Sequence, residues 1–137
     1  MSYTLDEIIR IPGMLENLKN VKFNFLKDTN YLFVGCGSSY NLGFITKTLL
    51  NLNGYKADVV TSGHVMLFNK VPKSDIAILI TRTGETTETV KAAQIIKNAG
   101  IKTIGITCTK NSTISKICDD SIILDFAEEK SVVMTGS

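Results

Sequence analysis

Two short stretches of this chain join glycine to side-chain hydroxyls in a pattern that could hold an anion. They are Gly35-Cys36-Gly37-Ser38-Ser39 and Thr81-Arg82-Thr83-Gly84-Glu85-Thr86-Thr87. Glycine lets a backbone approach a ligand closely, and Ser and Thr add hydroxyl donors. Where such a stretch opens a helix, free backbone N–H groups and the positive end of the helix dipole favour negative charge. A phosphate has enough acceptor sites to engage both stretches at once. Ser, Thr and Gly ahead of a helix also serve as plain caps and tight turns, and for either stretch alone that is the stronger reading. Two of them at one place reverse the balance.

The usual nucleotide motifs are not met. Tyr40 stands where G-x-G-x-x-G needs its third glycine, and no G-x-x-x-x-G-K-[ST] occurs. A small phosphorylated ligand therefore fits better than a nucleotide or flavin, and no cofactor is expected. One histidine, His64, and three cysteines at irregular spacing support neither a metal site nor a Ser-His-Asp arrangement. His64 reads as a surface or capping residue, and Cys36 as a small buried filler rather than a nucleophile.

The elements that must position these stretches follow from periodicity. Short apolar runs at 31–34, 57–60, 76–80, 102–107 and 121–125 read as strands. Between them, 40–52 places Phe44, Ile45, Thr48, Leu49 and Leu52 at helical spacing and stops at Asn53-Gly54. Residues 85–99 give the clearest helix, with Val90, Ala93, Ile96 and Ala99 on one face. Shorter helical turns are expected at 65–68 and 112–118. Alternating strands and helices predict an α/β three-layer sandwich, a doubly wound five-stranded parallel sheet of flavodoxin-like order 2-1-3-4-5. In that order, the loops after the first and third strands flank the crevice where ligands bind. These are the two glycine-hydroxyl stretches.

Composition narrows the classes further. The chain has 137 residues, 44% hydrophobic and 20% charged, which fits one folded domain. A net charge of +2 argues against a nucleic-acid partner, and no apolar run approaches a membrane span. The odd cysteine count suits reduced thiols in the cytoplasm.

With these residues in place, the sequence resembles the sugar isomerase (SIS) domain. Its second stretch is similar to that family's S-x-S-G-E-T loop, with threonine at both serines. The resemblance covers 31–137, leaving 1–30 as an N-terminal helical arm. Residues 129–135 also resemble the segment that closes the first of two SIS domains. That arrangement occurs in the isomerase half of glucosamine-6-phosphate synthase and in tagatose-6-phosphate ketose/aldose (AgaS-like) isomerases. Val133-Met134-Thr135 is closer to the AgaS-like and fructosamine-deglycase-like pattern.

Carried over by position, Gly37, Ser38 and Ser39 match the first phosphate loop. Thr81, Arg82, Thr83 and Thr86 match the second, with Gly84 supplying its turn. Arg82 stands where the synthase branch has a neutral glutamine. Glu129 matches an acidic residue near the sugar and is the candidate catalytic group. The resemblance implies a phosphorylated hexose, often an amino sugar, undergoing aldose–ketose isomerisation or deamination. In two-domain members the principal base and a ring-opening histidine come from the second domain. The chain therefore reads as the phosphate-binding half of such an enzyme, ending before a second SIS domain. The other reading is a non-catalytic sugar-phosphate sensor of a regulator. A homodimer or larger homo-oligomer is expected, because such domains pair across exposed helices.

Overall fold

The computed structural model describes residues 23–125. Glu129 and residues 1–22 of the expected arm lie outside that range, and 23–29 form loop and turn rather than helix. Five strands run β1 (Asn30–Gly35), β2 (Lys56–Thr61), β3 (Ile76–Ile80), β4 (Lys102–Thr107) and β5 (Asp120–Ile123). The helices between them are α1 (Ser38–Leu52), α2 (Ser62–Phe68), α3 (Thr87–Asn98) and α4 (Thr113–Ile117). The sheet order is β2-β1-β3-β4-β5 and every pair is parallel, as the alternation predicted.

The order explains which face each helix covers. A parallel crossover is right-handed, so the leftward step from β1 to β2 and the rightward steps that follow place their helices on opposite faces. Helices α2, α3 and α4 pack on one face through Val65, Ala92, Ala93, Ile96 and Ile114, against Leu32, Val34, Ala77 and Leu79. On the other face α1 brings Leu50 to Tyr31, Phe33, Ile78 and Ile104. Each fully buried aliphatic side chain here contributes about 1.5–3 kcal/mol. The central strands are apolar on both faces, which is why β1 and β3 read as continuous runs rather than alternations.

Two helix faces differ from the sequence reading. The apolar positions Phe44, Ile45, Leu49 and Leu52 of α1 point away from the sheet, while Gly43 and Leu50 turn toward it. Gly43 decides this rotation, because its missing side chain lets the helix lie directly on Phe33. A Cβ there would come within 3.0 Å of the Phe33 Cβ. In α3 the buried face is Thr89, Ala92, Ala93 and Ile96, so Ala99 is exposed and Val90 only half-buried. Thr89 is accommodated by a 2.8 Å hydroxyl contact with the equally buried Ser62, which satisfies both groups.

The seating of α1 on β1 can be tested directly. Gly43→Val should destabilise the fold by about 1–3 kcal/mol through overpacking. Urea denaturation would show a lower midpoint at unchanged slope, and an unmoved midpoint would contradict the close packing.

Candidate functional site

The register of the central strands brings the two glycine-hydroxyl loops to one edge. Val34 lies beside Leu79, so β1 and β3 end one residue later, at Gly35 and Ile80, at the same height. A cavity of about 400 Å³ opens there. Ser38 and Ser39 line it from the first loop, Thr81 and Arg82 from the second, and Cys108 and Leu124 from the ends of β4 and β5. Leu42, Ile80 and Ile106 form apolar wall.

The residues expected at the site divide into two groups. Ser38, Ser39, Thr81 and Arg82 share the cavity, and neither serine hydroxyl has a hydrogen-bond partner among the described residues. Gly37, Thr83, Gly84 and Thr86 do not line it; they shape the loops. Gly37 adopts φ 53°, a left-handed turn that favours glycine and starts α1. The Thr86 hydroxyl meets that of buried Thr81 at 3.0 Å. Thr83 Oγ1 accepts the Glu85 N–H at 3.1 Å. Gly84, at φ 71°, packs so tightly on Ser112 that any Cβ would collide with it.

Backbone donors are fewer than the sequence suggests. The N–H groups of Ser39 and Tyr40 already turn back to the Cys36 carbonyl, at 3.0 and 3.4 Å. The first loop therefore offers mainly its serine hydroxyls. The helix starts carry a second clue. Short helices α2 and α4 are capped by side chains, Thr61 accepting from the His64 N–H and Ser112 from that of Ser115. Helices α1 and α3, which follow the two loops, have no side-chain cap. Caps and turns therefore account for the threonines of the second loop, which bond within it, but not for Ser38 and Ser39.

The second loop is held by β4. The Thr81 N–H donates to the Ile106 carbonyl at 3.0 Å, and the Arg82 carbonyl accepts from the Cys108 N–H at 2.9 Å and the Thr107 hydroxyl at 3.0 Å. Sequence reasoning did not single out Thr107, Cys108 or Leu124. Their one signal is position: each sits at or just beyond the carboxyl end of a strand. Cys36 is half-buried and not a buried filler; its thiol donates to Glu88 Oε2 at 3.2 Å. His64 is exposed on α2 with its ring against Phe68, and does not line the cavity. Among the described residues, no group of three or more His, Cys, Asp or Glu could hold a metal, and no helix is long and apolar enough to cross a membrane.

A doubly wound parallel sheet with a cavity at its switch point, apolar-walled and edged by hydroxyls and one arginine, defines an α/β domain of the ligand-binding kind. The chain belongs to the SIS domain family, whose model matches residues 25–137. It is 30% identical over 109 residues to a glutamine–fructose-6-phosphate aminotransferase (isomerizing) of Pyrobaculum aerophilum, covering 79% of this chain and 18% of that protein. The crystal structure of glucosamine-6-phosphate deaminase from Thermotoga maritima superposes with a TM-score of 0.78 at 30% identity, covering 98% of this chain and 43% of that one. The C-terminal domain of glucosamine-fructose-6-phosphate aminotransferase from Francisella tularensis gives 0.84 at 21% identity, over 98% and 42%. The chain thus spans under half of each of these three proteins.

Glu85 has a structural task in this arrangement. Its carboxylate accepts the Thr113 N–H at 2.6 Å and the Thr113 hydroxyl at 2.9 Å, tying the second loop to the start of α4. These hydrogen bonds, the hydroxyl first, hold its pKa below the ordinary 4.5. Because the folded value is the lower one, ionised Glu85 stabilises the fold above that pH, and its contribution fades as pH falls through the lowered value. Thermal melts of wild type and Glu85→Gln should differ near neutral pH and converge as the pH is taken well below the ordinary carboxylate value. A gap that ignores pH would rule out the carboxylate tie.

Proposed function

We propose that this chain binds the phosphate of a phosphorylated sugar, amino sugars included, as the phosphate-binding half of an aldose–ketose isomerase or deaminase. One observation carries the reading: serine hydroxyls and an arginine, unpartnered among the described residues, meet in a single cavity that no described carboxylate lines. An anion is what such a lining recognises, and a phosphate monoester can take several donors at once. The relatives above are named for reactions on hexose 6-phosphates, which supports the same class of ligand here.

Moving a proton between C1 and C2 of a sugar requires a positioned base, and opening the ring requires an acid/base pair. The cavity supplies binding and orientation; Glu129, the candidate acid/base group in this chain, would add to them. The remaining groups would come from a second domain, either later in a longer chain or in another copy. Orientation by a held phosphate is itself catalytically useful, because it fixes the reacting carbons without touching them. We place the protein in the cytoplasm, where Cys36, Cys108 and Cys118 stay reduced.

The outward stripe of α1 supports a homodimer. Leu42, Ile45, Leu49 and Leu52 are 53–78% exposed and spaced as in a coiled-coil seam. Lys47 is the only charged residue of the helix, so the stripe is neutral and complements a second copy of itself across a two-fold axis.

Two measurements test these readings. Hexose and hexosamine 6-phosphates should raise the melting temperature, their unphosphorylated parents should not, and Ser38→Ala/Ser39→Ala should abolish most of the gain. A double variant that responds like wild type would remove the loop assignment. Light scattering at micromolar concentration should find a dimer that Ile45→Lys/Leu49→Lys turns into a monomer. A wild-type monomer would end the dimer proposal.

A further inference from the structure

Among the described residues that line the cavity, Arg82 alone carries a charge. Its guanidinium has no hydrogen-bond or ion-pair partner among the described residues. Carboxylates on neighbouring elements are engaged elsewhere. Glu85 is bonded to Thr113, Glu88 accepts from Cys36, and Asp125 is paired with Lys110 at 2.9 Å. The Arg82 main chain, by contrast, is pinned to β4 through its carbonyl. A cation on a fixed backbone, lining a cavity with hydroxyls and left unneutralised, is an arrangement that stores charge complementarity for a ligand.

We infer that Arg82 makes this cavity select by charge as well as by shape, favouring the doubly ionised phosphate monoester over a singly charged group of the same tetrahedral geometry. This inference rests on the sugar-phosphate reading above and deepens it. Serine and threonine hydroxyls are neutral donors, so they serve a phosphate and a sulfate ester nearly alike. An arginine distinguishes them, because its attraction grows with the ligand's charge and its planar fork grips two oxygens together. The discrimination lies in this side chain, since no other described residue lining the cavity carries a full charge. Loss of the guanidinium should leave the fold intact, because among the described residues Arg82 is bonded through its main chain alone.

The experiment compares glucosamine 6-phosphate with glucosamine 6-sulfate by calorimetric titration. It is run at about pH 8, well above the second phosphate ionisation near ~6. Wild type should bind the phosphate at least about tenfold more tightly than the sulfate, a ratio expected of a charge-assisted contact. Arg82→Gln should melt like wild type without ligand and bring that ratio down about three- to tenfold, mainly by weakening the phosphate. Arg82→Lys, which keeps the charge and loses the fork, should retain most of the discrimination. An Arg82→Gln protein with the wild-type ratio would overturn the inference while leaving the sugar-phosphate reading standing. If wild type binds neither ester better than free glucosamine, both fall.

Discussion

The arrangement depends on one geometric constraint: β1 has β2 on one side and β3 on the other, and all three run parallel. The chain therefore leaves β1 and β3 in opposite directions at the same edge. The space between those departures is bridged by no connection, so a crevice forms without any residue being placed to make it. The register of β1 against β3 ends both strands level, and this brings loops 45 residues apart in sequence around a common cavity.

Within that crevice the polar groups split their work. One set is turned inward to the protein: Thr86 to Thr81, Thr83 to the Glu85 amide, Glu85 to Thr113. These contacts hold a tight loop whose glycine lies flush against Ser112. Another set, Ser38, Ser39 and the Arg82 side chain, lines the cavity without a partner among the described residues, and it is the set we propose for the ligand. Preorganisation of this kind costs little at binding, because the loop's conformational entropy has already been lost on folding. The attachment to β4 matters for the same reason. It fixes the backbone from which the Arg82 side chain reaches the cavity, so that only the side chain itself has still to be ordered on binding.

The two faces of the sheet are unequally furnished. Three helices share the face built around Leu79 and Ile96, whereas α1 stands on the opposite face among the described residues and shows a neutral apolar stripe outward. Leu42, at the start of that stripe, also lines the cavity. A partner packed along α1 would therefore approach the cavity, so the dimer and the ligand site we propose adjoin one another.

The fold class, the strand order and the meeting of the two loops were legible in the residues themselves. Strand-helix alternation leaves few topologies, and β-branched runs such as 76–80 and glycine stops such as Gly54 mark the elements by local chemistry. Side-chain assignments were less legible. Periodicity finds an apolar stripe on α1 but not its direction, which Gly43 settles by allowing contact with Phe33. Likewise a threonine in a loop reads the same whether its hydroxyl meets a ligand or a neighbour. Only the tertiary structure separates Ser39, which lines the cavity, from Thr83, which does not, because the second loop's course is set by Ile106, Cys108 and Thr113, distant segments whose approach no local pattern encodes.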